Sequence, residues 1–160
     1  MRRRADGGPG PAEAPGRVSL RVRYVETDQM GMAHHSSFFA WYEVGRTEYM
    51  RERGLPYTEL EKEGVYLPVI EAGSKYHRPV SYDAALLLES RPSGVKGVRV
   101  GFSYRLLEEE TGALVAEGFT VHAVVNREGR PLNLKKRNPL LWERITAVLG
   151  GDGGAGAREG

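Results

Sequence analysis

One stretch of the chain, residues 36–54, has the longest helical pattern in the sequence. Its apolar residues recur at spacings of three and four, as one face of a helix requires. These residues are Phe38, Trp41, Tyr42, Gly45, Tyr49 and Met50. Further apolar residues widen that face, so we expect other elements to wrap the helix on most sides. Gly54, followed by Pro56, predicts its end. A helix of this kind, roughly 26 Å long, requires a fold that is built around it.

The rest of the chain changes to the two-residue period of β-strands. A strand is predicted before the helix and a short second helix after it, at residues 17–24 and 57–63. The later extended segments are 65–70, 75–80, 84–91, 97–107 and 113–125, and a terminal helix follows over 139–149. Strands segregated from one dominant helix predict an α+β fold, with the helix packed on an antiparallel sheet. An exposed edge of so small a sheet favours pairing with a second copy.

Two further predictions concern the apolar face of the last strand and a bend between two earlier segments. The residues predicted to share one apolar face of the last strand are Ala113, Val115, Phe119, Val121, Ala123 and Val125. One face of the sheet is expected to meet the helix. Ala72-Gly73 is interpreted as a bend that separates the first two extended segments after the helices.

Composition limits the class of protein. A chain of 160 residues fits one domain, placed at residues 17–149. Segments 1–16 and 150–160 are rich in Gly, Pro and Ala, and we expect disordered tails there. Cys is absent, which excludes thiol catalysis and zinc–thiolate sites. A net charge of +2 does not indicate a nucleic-acid partner. Without an apolar run for a membrane span or a signal peptide, the sequence predicts a cytoplasmic protein.

The loop before the long helix holds the first candidate for chemistry, Asp28. It follows a strand and precedes Gly31 and the start of the helix. Aspartate also commonly caps turns, and that interpretation stays open for Asp28. Glu26 lies two residues earlier and is a competing carboxylate, and spacing alone does not choose between the two.

Two adjacent histidines, His34 and His35, lie between Asp28 and the helix. Adjacent side chains are expected to diverge, so the pair does not resemble the i, i+4 ligands of a helical metal site. His77 and His122 are isolated in the sequence, and no metal site is predicted. The start of the helix offers free backbone N–H groups and the positive end of its dipole, which suit a developing oxyanion or a phosphate.

Residues 24–38 read YVETDQMGMAHHSSF, and a helical segment with Glu43 and Arg46 follows. This pattern resembles the signature of the 4-hydroxybenzoyl-CoA thioesterase-like family, whose members are small acyl-CoA thioesterases with the hotdog fold. The similarity continues through residues 54–56 and covers most of residues 17–140. The resemblance implies hydrolysis of an acyl-CoA thioester without a separate cofactor, since coenzyme A is part of the substrate.

The resemblance also implies roles for individual residues. In the family, the aspartate matching Asp28 attacks the thioester or activates water, and the backbone N–H near His35 polarises the carbonyl group. The His35 side chain and the Tyr24 hydroxyl would assist. The implied fold is a five-stranded antiparallel sheet wrapped around one helix. Two copies would form a ten-stranded sheet with active sites at their interface, so we expect a homodimer or a homotetramer.

Coenzyme A would need cations for its phosphates. The candidates, expected near the mouth of the site, are Lys96, Arg99, Lys135, Lys136 and Arg137. The last three form a short basic run, and such a run on its own is commonly a solvated connection between elements. Removing the charges that contact coenzyme A should raise KM more than it lowers kcat.

The chain departs from the family pattern at a few positions. Ala33 stands where Val is usual, His34 stands where an aromatic residue is common, and Phe38 replaces Tyr. Glu26 replaces the first Asp of the Asp-Thr-Asp run. None of these changes affects Asp28, so hydrolysis is the favoured function. The alternatives are a hotdog acyl-CoA hydratase or dehydratase, and a non-catalytic module that binds acyl-CoA or an acyl carrier.

Overall fold

The computed structural model describes residues 14–151 of the chain. The strands are β1 (Gly16–Arg21), β2 (Val69–Tyr76), β3 (Ala85–Lys96), β4 (Arg99–Glu108) and β5 (Leu114–Ala123). The helices are α1 (Ser37–Glu52), α2 (Tyr57–Lys62), α3 (Leu134–Arg137) and α4 (Pro139–Leu149). A 3₁₀ turn occupies Tyr24–Glu26. Most of the two predicted tails lies outside the described residues, and Gly16, assigned to the first tail, is already part of β1.

The five strands form one antiparallel sheet in the order β1-β3-β4-β5-β2. The central helix α1 lies on one face of this sheet. There Tyr42 stacks on Tyr104 of β4 with ring centroids 4.5 Å apart, and Tyr49 meets Phe102 edge-on at 5.9 Å. The predicted α+β class and the hotdog arrangement are therefore confirmed. The bounds of α1 agree with the predicted ones to within two residues.

Two glycines set how closely α1 approaches the sheet. A Cβ atom on Gly45 of α1 would lie 2.6 Å from Cδ2 of Leu88, and one on Gly118 of β5 would lie 2.6 Å from Cζ of Tyr42. Both distances are far shorter than the optimal carbon–carbon separation of roughly 3.5–4.0 Å. The approach also brings the Tyr42 hydroxyl to Ser74 of β2 at 2.8 Å. A larger residue at either glycine would have to move the helix.

Val115 is buried as predicted, but from Ala116 onward the face that β5 presents to α1 is opposite to the predicted apolar face. Phe119, Val121 and Ala123 lie on the outer face, and Phe119 is 41% exposed. The register of β5 with β4 shifts next to Leu106, and such a shift sends the following side chains to the other face. The aromatic side chains of α1 and β4 fill the space, so small and polar residues suffice on the inner face. These residues are Ala116, Gly118, Thr120 and His122.

β2 is one continuous strand where two extended segments with a bend at Ala72-Gly73 were predicted. Gly73 pairs with Phe119 of β5. A Cβ atom on Gly73 would lie 2.9 Å from Cζ of the Phe119 ring. The missing side chain at Gly73 therefore makes room for a neighbouring ring and does not mark a bend.

Two strands have different ends from those predicted. β1 stops at Arg21 because the carboxylate of Glu26 accepts the backbone N–H of Arg23 at 2.8 Å and the chain enters the 3₁₀ turn. Tyr24 consequently lies on that turn and not on the strand. β3 continues to Lys96, beyond the predicted end at residue 91, across one irregularity in its pairing with β4.

α4 closes the described part of the chain. The Asn138 side chain accepts the N–H of Leu141 at 3.2 Å, and Pro139 occupies the first turn as predicted. Leu141, Ile145 and Leu149 form its buried face. Among residues 14–151, none of the helices combines the length and the apolar character needed to cross a membrane.

Candidate active site

Asp28 organises a tight turn through one of its carboxylate oxygens. Its Oδ1 accepts the N–H groups of Met30 at 2.9 Å and Met32 at 3.2 Å. In the main chain, Asp28 donates to the Met32 carbonyl at 2.7 Å, and Gly31 donates to the Asp28 carbonyl at 3.0 Å. Gly31 has φ +76°, which glycine adopts without strain. The side chain is exposed, and Oδ2 makes no hydrogen bond within the described residues. The turn-capping role is thus present, and it leaves one oxygen open for chemistry.

The Asp28 turn is attached to one end of the sheet by main-chain bonds. Ala33 donates to the Val80 carbonyl at 2.8 Å, and Tyr82 donates to the Gly31 carbonyl at 3.1 Å. Met32 and the segment after β2 also form a short antiparallel bridge. The loop therefore sits where β2 has ended and β3 begins, and its position is set by the sheet.

Glu26, the competing carboxylate, has a different environment. It is only 8% exposed. Its Oε1 accepts the Arg23 N–H at 2.8 Å, and its Oε2 accepts the indole Nε1–H of Trp41 at 2.7 Å. Its main-chain carbonyl accepts the His34 N–H at 2.8 Å and the Ser37 hydroxyl at 2.9 Å. Glu26 therefore fastens the loop to the start of α1, and both of its carboxylate oxygens are already occupied.

The prediction that the adjacent histidines diverge is wrong. The rings of His34 and His35 pack against each other with centroids 4.2 Å apart and a 32° angle between their planes. Ser36 contacts Nδ1 of His34 through its hydroxyl at 2.7 Å and its N–H at 3.2 Å. The chain turns at this point to enter α1, which brings the two rings to the same side. Within residues 14–151, no three His, Asp or Glu side chains form a group that could hold a metal ion.

The start of α1 leaves a backbone donor open beside this pair. Ser37 donates to the His34 carbonyl at 2.9 Å, and Phe38 donates to the His35 carbonyl at 3.4 Å. Ser36, at the N-cap, makes no side-chain capping bond. The N–H of His35 itself has no hydrogen-bond partner in the described part of the chain. This is the donor that the resemblance indicated for a thioester oxygen, and it lies at the positive end of the helix dipole.

Tyr24 lies on the 3₁₀ turn close to the loop and is 79% exposed. Its ring meets that of Tyr82 edge-on at 5.9 Å. Its hydroxyl makes no hydrogen bond within residues 14–151, and in particular none to Asp28. Val25 and Met30 are also exposed, so the surface around the loop is apolar. Exposed apolar patches of this kind typically mark binding or assembly surfaces, and an assisting role for Tyr24 stays a prediction.

Three of the five candidate cations, Lys96, Arg99 and Lys135, lie at the tip of the β3–β4 hairpin. Lys96 and Arg99 face each other across that tip. Lys135 and Trp142 line a pocket of about 200 Å³ beside it, and Lys136-Arg137 completes α3. The structure therefore unites residues that the sequence placed in two separate segments.

This hairpin tip lies at the far end of the sheet from Asp28. β3 runs from Ala85, beside the loop, to Lys96 at the tip, which is about 36 Å at the usual rise per residue. In coenzyme A, about 13 bonds separate the sulfur from the first phosphorus of the diphosphate, or roughly 17 Å when extended. The sequence predicted these cations near the mouth of the site. Within one chain they lie too far from Asp28 for one coenzyme A molecule to reach both, and their role in binding stays a prediction.

His122, which looked isolated in the sequence, belongs to a buried polar chain. One ring nitrogen lies 2.9 Å from the Leu67 carbonyl and the other lies 2.8 Å from the Thr120 hydroxyl. That hydroxyl also meets the Tyr104 hydroxyl at 2.7 Å. Burial lowers the pKa of His122; the hydrogen bond to Leu67 opposes this change, and the positive charge of Arg46 adds to it. The imidazole is a structural group of the core.

Sequence reasoning gave no role to Tyr76, which contacts the start of α1. The Tyr76 hydroxyl, at the end of β2, donates to the main-chain carbonyl of His35 at 3.0 Å. The two residues are 41 positions apart, so no local pattern indicates their contact. Only the packing of β2 beside the helix brings them together.

Comparisons with known proteins identify the family of the chain. Residues 22–147 match the family model of the thioesterase-like superfamily. YneP of Bacillus subtilis, provisionally named an acyl-CoA thioesterase, is 31% identical over 121 residues, which are 75% of this chain and 87% of YneP. The acyl-CoA thioester hydrolase YbgC of Escherichia coli is 29% identical over 121 residues, with 76% and 87% coverage. A DHNA-CoA thioesterase structure from Staphylococcus aureus aligns with a TM-score of 0.76 and 25% identity, over 84% of this chain and 90% of that one.

Proposed function

Because the chain belongs to the thioesterase-like superfamily and is a thioester hydrolase, we propose that it hydrolyses an acyl-CoA to a free acid and coenzyme A. Asp28 acts as nucleophile or general base, and the N–H of His35 binds the thioester carbonyl oxygen. One observation carries this proposal: a carboxylate with an open oxygen and an open backbone donor belong to the same loop, which main-chain bonds attach to the segment between β2 and β3.

The chemistry needs only these groups and water. If Asp28 is the general base, it accepts a proton as water adds to the carbonyl carbon. If it is the nucleophile, its open oxygen adds to that carbon and water later cleaves the mixed anhydride. In both cases negative charge develops on the former carbonyl oxygen, where the His35 N–H and the helix dipole stabilise it. The carbon–sulfur bond then breaks, and the thiolate of coenzyme A leaves and takes up a proton.

Assembly of two copies would bring the cations to the loop. Each copy offers the free edge of β2, with Ile70 exposed along it. A two-fold axis between two such edges reverses the direction of the second sheet. The loop of one copy then lies at the end where the other copy carries Lys96, Arg99 and Lys135. From β2 of one copy, crossing to β4 of the other takes three strand spacings, or about 14 Å, and crossing to β3 takes four, or about 19 Å. The shorter crossing is within the reach of coenzyme A.

The test of catalysis is Asp28→Asn. The amide oxygen can still accept the N–H groups of Met30 and Met32, so the turn should survive while the charge is lost. General-base catalysis is typically worth about 10²–10⁴-fold, so kcat should fall at least roughly 100-fold, with KM little changed. The measurement is release of free thiol from a panel of acyl-CoAs, with circular dichroism to verify the fold. His35→Ala should cost less, because the backbone N–H remains.

Asp83→Asn is the matched control, since Asp83 is an exposed aspartate in the neighbouring segment and should leave kcat unchanged. Full activity of Asp28→Asn would refute the catalytic assignment. Hydration of an enoyl-CoA without thiol release would indicate the hydratase alternative. Binding of acyl-CoA with no turnover by the unaltered protein would indicate a binding module.

A further inference from the structure

One hydroxyl group joins the edge strand of the sheet to the start of α1. Tyr76 is the last residue of β2, and its hydroxyl donates to the His35 carbonyl at 3.0 Å. Its ring packs edge-on against Phe38, in the first turn of α1, with centroids 4.7 Å apart. The contact therefore has two parts: a ring that packs on the helix and a hydroxyl that holds the main chain.

The bond acts on one of the two peptide groups that flank the Cα of His35. The preceding group is held through its carbonyl, because the His34 C=O accepts the Ser37 N–H at 2.9 Å. The following group has its Ser36 N–H bound to Nδ1 of His34 at 3.2 Å, but its carbonyl receives the Phe38 N–H only at 3.4 Å. The Tyr76 hydroxyl supplies its shorter bond.

We propose that Tyr76 is a positioning residue for thioester hydrolysis, and that its hydroxyl fixes the main chain at His35 so that the open His35 N–H stays aimed at the substrate oxygen. This inference rests on the proposed function. Tyr76 does not donate to the substrate. It restricts rotation of the peptide group that links the oxyanion donor to α1, and a donor that is already oriented stabilises the oxyanion without reorganisation.

Tyr76→Phe tests the hydroxyl alone, because the ring can keep its contact with Phe38. We expect kcat to fall about tenfold with KM unchanged, which is less than the loss on removing an oxyanion donor. A trifluoromethyl-ketone analogue of acyl-CoA, which presents an oxyanion on addition of water or the enzyme carboxylate, should bind about tenfold more weakly. A thioether analogue, which lacks the carbonyl group, should bind with unaltered affinity.

Tyr66→Phe is the matched control, since Tyr66 belongs to the segment before β2 and its hydroxyl makes no hydrogen bond in the described residues; it should match the unaltered protein in all assays. Wild-type kcat in Tyr76→Phe, while Asp28→Asn is inactive, would overturn the inference and leave the proposed function intact. Equal weakening of both analogues together with a lower Tm would also overturn it, because that result describes a packing role. Full activity of Asp28→Asn would refute the proposed function itself.

Discussion

At the scale of single residues, two carboxylates only two residues apart have opposite roles in the structure. Asp28 is exposed and uses one oxygen to hold its turn. Glu26 is buried, and both of its oxygens accept hydrogen bonds. A buried acceptor that loses its hydrogen-bond partners lowers the free energy of unfolding, whereas an exposed acceptor can bind water instead. Stability should therefore depend on Glu26 and catalysis on Asp28.

Glu26→Gln should destabilise the protein. The amide keeps one acceptor oxygen, so either the Arg23 N–H or the Trp41 indole N–H would face an NH₂ group. An unsatisfied buried donor costs about 1–3 kcal/mol, which urea denaturation would measure as a lower midpoint. Glu110→Gln, at an exposed turn, is the control. Unchanged stability of Glu26→Gln, or a loss of kcat larger than that of Asp28→Asn in the folded protein, would contradict these roles.

The pKa of His122 predicts how stability changes with pH. Burial lowers this pKa in the folded protein, whereas in the unfolded chain it is near the usual value of about 6.5. Below that pH the unfolded state binds a proton that the folded state does not, so stability falls as the pH decreases. Above that pH the imidazole is neutral in both states, so its contribution to stability is fully present. Thermal denaturation between pH 5 and 8 measures the slope.

His122→Gln removes this titration, so its stability should change less with pH below about 6.5. His77→Gln is the control, because His77 is exposed and pairs with Glu117 on the surface. An identical pH slope in the unaltered protein and in His122→Gln would show that His122 does not titrate on unfolding.

At the scale of elements, the contact between α1 and the sheet depends on the absence of side chains at Gly45 and Gly118. The stacking of Tyr42 on Tyr104 is possible only because neither position carries a Cβ atom. Buried Ser90 of β3 lies directly over Gly45, and its hydroxyl oxygen has no hydrogen-bond partner within the described residues. The closest approach of α1 to the sheet thus falls at buried side chains of β3.

Gly45→Ala should destabilise the protein although alanine is the better helix former. The gain in helix propensity is about 1 kcal/mol, whereas overpacking a core costs about 1–3 kcal/mol. Calorimetry should therefore show a lower Tm. In a Ser90→Ala background the cost should be smaller, because one of the two crowding atoms is removed. A raised Tm for Gly45→Ala would mean that α1 moves away from the sheet without cost.

At the scale of the whole molecule, the two ends of the sheet have different chemistry. The Asp28 loop lies at one end, and the cluster of Lys96, Arg99 and Lys135 lies at the other. A free strand edge needs a partner or a cover, and Ile70 is exposed on the free edge of β2. A dimer that pairs through this edge would bring an Asp28 loop and a cation cluster together at each of its two sites.

Mixing two inactive or impaired variants should restore activity if the cations of one copy serve the loop of the other. Asp28→Asn supplies intact cations, and the triple variant Lys96→Ala, Arg99→Ala, Lys135→Ala supplies an intact loop. The triple variant alone should show a raised KM, with a smaller defect at high salt. After the two are unfolded and refolded together, hybrid dimers should show activity with the unaltered KM.

If the mixture does not recover the unaltered KM, the cations of one copy do not serve the loop of the other. Either the cations and the loop of one chain form the same site, or the cations do not bind the substrate. Light scattering at micromolar concentration should show at least a dimer. Ile70→Asp should weaken it, and Leu140→Asp, on the exposed side of α4, should not. A fully active monomer would refute the assembly.

The sequence by itself determined the features that depend on neighbours along the chain. The bounds of α1 follow from its apolar spacing and its Gly54–Pro56 stop, and the inward face of β4 follows from strict alternation. The turn at Asp28 is also local, since its bonds reach no further than Met32. The resemblance of residues 24–38 then indicated the family that the comparisons show.

Only the tertiary structure decided the features that depend on pairing between distant segments. One register shift beside Leu106 reverses the faces of β5, and an alternating pattern contains no signal for that shift. The Tyr76–His35 bond and the buried chain around His122 join residues from different elements. The separation of the cations from Asp28 follows from the length of β3. Local sequence encodes local conformation, whereas these distances arise when strands pair over tens of residues and the core fixes their register.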